Sequence, residues 1–302
     1  MNAARSAAPH DTVLATLRER PFEIVRPARQ SVPFVFASPH SGRLYPASFV
    51  AKSRLNPINL RRSEDAFVDE LFASVADLGA PLIAANFPRA YLDANRSPAE
   101  LDAGMFEGEL PHAIDSASPR VSAGLGVIPR IVRDGAEIYQ GKLSIAEAEE
   151  RLSTLYRPYH AALNALMEET RAKFGVAVAI DCHSMPSAAA VPDIVIGDRY
   201  GVSAGHALMR RTERAFEARA FTVVRNVPYA GGYTTILHGR PARGAHALQI
   251  EINRGLYLDE DRILPSMRFH DVKLRIADAL SDLVKIDVAS LGGQRPSALA
   301  AE

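Results

Sequence analysis

Short apolar runs alternate along this chain with longer segments of helical period. PFVFAS (33–38) reads as a buried strand, and it breaks at once into the turn-forming cluster Pro39-His40-Ser41-Gly42. In EDAFVDELFASVADLG (64–79) the apolar positions Phe67, Leu71, Val75 and Leu78 recur at helical spacing and close on Gly79, which predicts a helix. PLIAANF (81–87) reads as the next strand. SIAEAEERLSTLYRPYHAALNALMEETRAKFG (144–175) reads as helix, with Ser144 and Glu147 spaced as a capping box and Pro158 expected to kink or split it. VAVAIDCHS (176–184), PDIVIGD (192–198), FTVVRN (221–226) and AHALQIEIN (245–253) read as strands. Helices are expected over 203–219 and 259–286.

Strands interleaved with helices predict an α/β fold: a three-layer α/β/α sandwich around a mixed, largely parallel sheet. No composition break divides residues 1–302, so one catalytic domain is expected, with an ordered core of 21–288. The first 20 residues are Ala- and Arg-rich and read as a short helix or a frayed end. Residues 97–142 are rich in Gly, Pro and Ser and too long for an ordinary connection, which makes them a candidate lid. The tail at 289–302 reads as flexible.

Composition removes several function classes. Lys+Arg and Asp+Glu are both 35 in 302 residues, so neither a basic surface for nucleic acid nor an acidic tail is expected. A single cysteine excludes an internal disulfide. The N-terminus lacks an apolar h-region and no apolar run approaches the roughly 20 residues of a membrane helix, so a cytoplasmic protein with no membrane partner is expected. The sequence leaves the oligomeric state open.

Three strand ends carry unusual chemistry, at the place where open α/β sheets bind ligands. The first ends on His40. The second ends Asp181-Cys182-His183-Ser184; alternation puts Asp181 and His183 on one side and turns Cys182 away, against a Cys182–His183 dyad. In the third, Gln249, Glu251 and Asn253 share the face opposite Ile250 and Ile252. Two histidines and a carboxylate make a hydrolytic zinc site that keeps one position for water. Glu64 and Asp65 both offer the carboxylate, or simply favour a helix N-terminus. FPRAYLDANRSP (87–98) gathers Arg89, Asp93, Asn95 and Arg96, and Arg is the side chain best shaped to hold a carboxylate. In PYAGGYTTILHGRP (228–241), Gly231-Gly232 allow close approach to a ligand or a tight turn.

Taken in order, SPHSG, RSEDAFVDELF, RAYLDANRSP, AIDCHSMP, NVPYAGGYTT and ALQIEINRGLY resemble the N-formylglutamate amidohydrolase family, from about Val32 to Leu258. The resemblance implies a fold related to zinc carboxypeptidases and aspartoacylases. It implies hydrolysis of N-formyl-L-glutamate to formate and L-glutamate, a last step of one histidine-degradation route. His40, Asp65 and His183 would hold one Zn2+ or another divalent ion, with Glu64 the alternative carboxylate. Glu251 would be the general base, and Arg89 would polarise the scissile carbonyl. Asn95 and Arg96 would grip the carboxylate of a small acidic N-acyl amino acid, with Gly232 and Thr234 also at the substrate. The alternatives are another small N-acyl amino acid, a carboxypeptidase-like peptidase, or a metal-free binding protein on the same fold.

Overall fold

The computed structural model describes residues 11–292, apart from 109, 111–113, 133–134 and 189–190. Its main sheet has seven strands: β1 (Phe22–Val25), β2 (Phe34–Ser38), β3 (Leu82–Ala85), β4 (Ala177–Met185), β5 (Ile194–Gly197), β6 (Val223–Arg225) and β7 (Ala245–Asn253). Their spatial order is β1-β3-β2-β4-β7-β5-β6. The inner strands β3, β2, β4 and β7 run parallel. β1 is antiparallel to β3, β5 is antiparallel to β7, and β6 is parallel to β5.

Alternation along these strands builds two cores. On one face Phe34, Phe36, Val178, Ile180, Cys182, Leu248, Ile250 and Ile252 pack under the helices His206–Glu217 and Phe269–Leu283. On the other, Val35, Ala37, Ala177, Ala179 and Ala247 pack against the helix Arg157–Phe174 and the chain around Leu101–Tyr139. The columns of small residues on that second face turn polar toward the carboxyl ends of the strands. Ala177 and Ala179 are followed by Asp181 and His183; Ala245 and Ala247 are followed by Gln249 and Glu251.

Several elements differ from the sequence reading. The helix expected over 64–79 shrinks to Val68–Leu71 and a 3-10 turn, Ala73–Val75. Its start is displaced because the Asp65 amide donates to the His40 carbonyl and Phe67 takes a left-handed φ of 62°. Pro158 does not split the 145–174 segment. A π-turn at Leu152–Tyr156 carries the chain over, and the proline falls in the first turn of the next helix, where its missing N–H costs nothing. Ser144 caps the segment as expected, accepting from the Glu147 amide at 3.2 Å. In 259–286 only Phe269–Leu283 is helix, because Leu258–Asp259 pairs with Leu264–Pro265 as a small hairpin. The loop read over 228–241 contains the helix Tyr233–His238. The helix Thr12–Glu19 falls where a short helix or a frayed end was read, and strand β1 is an addition to the elements read from the pattern.

The described part of 97–142 is built into the molecule. It contains the short helix Pro119–Ser122 and a strand pairing of Phe106–Glu107 with Leu143–Ser144, and it buries Leu101, Phe106, Val127 and Ile128 in the second core. Within the expected tail, Val288–Leu291 forms a 3-10 turn with Leu291 buried; residues 293–302 lie outside the described residues. Among the described residues no helix is long and apolar enough to cross a membrane.

Candidate active site

The carboxyl ends of β2, β4 and β7 converge on one buried cluster. His40 lies two residues beyond β2, and its carbonyl holds the Asp65 amide at 3.0 Å, which brings the two together across 25 residues of sequence. His183 projects from β4 directly beside Glu251 on β7. His40 Nδ1 is 3.1 Å from His183 Nδ1, and Asp65 Oδ2 is 3.3 Å from the first and 2.9 Å from the second. Among the described residues, these three form the one group of histidine, cysteine or acidic side chains spaced to hold a metal ion.

The donor set fits a divalent cation. A zinc ion about 2.0–2.2 Å from tetrahedral N and O donors places them about 3.3 Å apart, close to the three separations here. The outer nitrogen of His40 fixes its tautomer. His40 Nε2–H donates to Asp93 Oδ1 at 2.7 Å, and His183 Nε2 lies 2.9 Å from both Asp181 Oδ2 and Asn95 Nδ2. A carboxylate can only accept, so the Nδ1 lone pair of His40 faces the shared point. Burial opposes the charge on Asp65, yet the adjoining imidazoles of His183 and His40 outweigh it and hold the carboxyl well below its usual range. Its second oxygen accepts from Arg254 Nη2 at 2.9 Å. Glu64 is turned elsewhere, accepting from Tyr45 and from Arg61, so the neighbouring acid is not part of the cluster.

Glu251 is the acid that remains beside this group. Its Oε1 accepts from Gln249 Nε2 at 2.7 Å. Burial pushes its carboxyl up; His183 pulls it back and Asp65 adds to the rise, for a value of about 7. A carboxyl near 7 is suited to accept a proton at neutral pH. Cys182 points into the opposite core, where burial pushes its thiol up, and it takes no part.

Asp93 links the metal cluster to the arginines. Its Oδ1 accepts from His40 and from the Asn95 amide, and its Oδ2 accepts from Arg89 Nε at 2.9 Å and lies 3.8 Å from Arg96 Nε. Burial disfavours its charge, but Arg89, Arg96 and His40 hold the carboxyl well below the ordinary range. A cavity of about 520 Å³ opens over the cluster, and His40, His183, Glu251, Arg89, Arg96 and Gly232 all line it.

Two of the expected substrate contacts sit differently. Asn95 lines the cavity, but its side chain is bonded to the protein: Nδ2 donates to Asp181 Oδ2 at 2.8 Å and lies 2.9 Å from His183 Nε2, and Oδ1 accepts from the amide and hydroxyl of Thr234 at 2.8 and 3.1 Å. Thr234 is buried behind Asn95 and is not on the cavity wall. Gly232 is glycine for a steric reason, since a Cβ there would lie 2.3 Å from the Asn95 amide nitrogen. The sequence reading left Asp93, Asp181 and Arg254 without roles. The signal for Asp181 was its parity with His183 on one strand, and Asp93 stood inside the DANR stretch.

The family model for N-formylglutamate amidohydrolase matches residues 32–258, a span that contains all of these side chains. The chain belongs to the N-formylglutamate amidohydrolase family. Within this family, a solved N-formylglutamate amidohydrolase from Ralstonia eutropha JMP134 is 36% identical, with a TM-score of 0.81 over 87% of this chain and 96% of that one. N-formylglutamate deformylases of Pseudomonas aeruginosa and Pseudomonas putida are each 28% identical. They align over 79% and 76% of this chain and 86% and 83% of their own lengths. The protein is accordingly a hydrolase acting on an amide bond, like other N-formylglutamate amidohydrolases.

Proposed function

We propose that this chain is a zinc-dependent deformylase that cleaves N-formyl-L-glutamate to formate and L-glutamate. The observation that carries this reading is the convergence of His40 Nδ1, His183 Nδ1 and Asp65 Oδ2 beside Glu251, under a cavity walled by arginines. A divalent cation held by these three atoms supplies Lewis acidity and a nucleophile at neutral pH. The chain's own groups do the rest. Glu251 accepts a proton from the attacking water and returns it to the departing nitrogen as the C–N bond breaks. Arg89, fixed by Asp93, donates toward the oxygen on which charge develops. Arg96 holds a substrate carboxylate in the cavity. Asp93, Asp181 and Arg254 keep both imidazoles and Asp65 in place through the reaction.

The acidic substrate fits the cavity electrostatically, because a formyl group offers almost no apolar surface and its binding must come from carboxylates. The place in histidine degradation rests on the family resemblance. The test is product release from N-formyl, N-acetyl and N-succinyl derivatives of Glu, Asp, Gln and His. The proposal predicts the highest kcat/KM for N-formylglutamate; a stronger preference for an acetyl or succinyl group would overturn the substrate.

A further inference from the structure

N-formylglutamate carries two carboxylates, and Arg96 accounts for one. The cavity presents four more guanidinium groups, from Arg62, Arg89, Arg120 and Arg254. Arg89 is held by Asp93, Arg254 by Asp65 and Ser184, and Arg62 Nε donates to Asn59. Arg120 differs. Among the described residues the carboxylate paired with it is Glu100, 3.7 Å away and beyond hydrogen-bond length, and the Arg120 side chain is 37% exposed. Glu100 is itself occupied, accepting from the Ser118 hydroxyl at 2.7 Å and the Ser97 amide at 3.0 Å.

The backbone under Arg120 is fixed. Ser118 caps the short helix by accepting from the Arg120 amide, and the Leu125 amide donates to the Arg120 carbonyl at 2.8 Å. Arg96 Nε donates to the Leu125 carbonyl at 3.0 Å, so the two arginines stand on one connected turn. Burial pulls the Arg96 guanidinium below its ordinary value; Asp93 and Glu100 act against this, and the neighbouring positive charges of Arg89 and Arg120 act with it. Arg89, Arg96 and Arg120 share two carboxylates, Asp93 and Glu100, and a cluster with one more guanidinium than carboxylate is a receptor for an anion.

We propose that Arg120 binds the side-chain carboxylate of the substrate and sets a preference for dicarboxylic N-acyl amino acids, an inference that rests on the deformylase reading above. It gives the described part of the 97–142 segment a role in specificity, as the stretch of wall that carries Arg120.

The test compares N-formyl-L-glutamate with N-formyl-L-norvaline, which has the same chain length without the second carboxylate, on wild-type protein, Arg120→Gln and Arg120→Lys. Arg120→Gln is expected to lower kcat/KM for the glutamate compound about 10–100-fold, the range covered by a lost hydrogen bond to a charged group. The norvaline compound loses far less, so the wild-type preference collapses. Arg120→Lys retains part of the preference because it keeps the charge and loses the fork. If either variant lowers both substrates equally, or if Arg120→Gln retains the full preference, the assignment of Arg120 is wrong while the deformylase reading stands. If wild-type protein releases formate from neither substrate, the deformylase reading itself fails, and this inference with it.

Discussion

His183 and Glu251 are register partners on adjacent parallel strands, one presenting a candidate metal ligand and the other the candidate base. The pairing fixes their spacing through backbone hydrogen bonds along nine residues of each strand, from Ala177↔Ala245 to Met185↔Asn253. A base carried on a loop would have to be ordered at each turnover; here the sheet has already done so.

That separation of roles makes Glu251→Gln informative. The amide keeps the shape and removes the proton acceptor. kcat is expected to fall about 10²–10⁴-fold, with bound metal and substrate affinity little changed. A variant with near-normal kcat would return Glu251 to a structural role.

Metal content discriminates the two neighbouring acids. His40→Ala, His183→Ala and Asp65→Ala are expected to lose both metal and activity. Glu64→Ala is expected to keep its metal, because Glu64 serves Arg61 and Tyr45. Full metal stoichiometry in His183→Ala would remove that residue from the ligand set.

The pH dependence follows from Glu251. The active form is the carboxylate, so activity is lost as pH falls through its folded-state value, about 7 before a cation binds. A bound cation favours the charged form and moves the limb downward, toward but not as far as the ordinary carboxylate value of about 4.3. The acid limb of kcat/KM is therefore expected between those values, at constant metal content across the limb. A limb that coincides with loss of metal would instead report protonation of the histidines.

Asn95 and Arg96 are adjacent in sequence and are expected to fail differently. Asn95 orients Asp181 and thus His183, so Asn95→Ala is expected to weaken metal binding about 10–100-fold. Arg96→Lys is expected to lower kcat/KM about 10–100-fold for the acid with metal unchanged, and much less for the corresponding amide. Equal losses on acid and amide would make Arg96 a structural residue.

The sequence pattern located what depends on local alternation. β7 was legible to the residue, because Ile250 and Ile252 alternate strictly with Gln249 and Glu251, and the same parity placed Asp181 with His183. The union of His40 with Asp65 was legible through the family resemblance and not through local pattern. It is made by one tertiary backbone bond, and that bond also shortens the helix expected from Glu64 onward. Asn95 was read as a substrate contact because both ends of its amide look available in sequence; Thr234, 139 residues later, closes one of them. Arg120 lies in a stretch without periodicity, where position is set by the bonds of Glu100 and Leu125.

The central claim is that amide cleavage depends on a cation held by His40, Asp65 and His183. Its most direct measurement is formate release from N-formylglutamate by protein stripped with a chelator, confirmed metal-free, and then titrated with Zn2+. The account predicts loss of activity on stripping and recovery that saturates at about one equivalent per chain, with no recovery in His183→Ala. Undiminished formate release by the metal-free protein would contradict it.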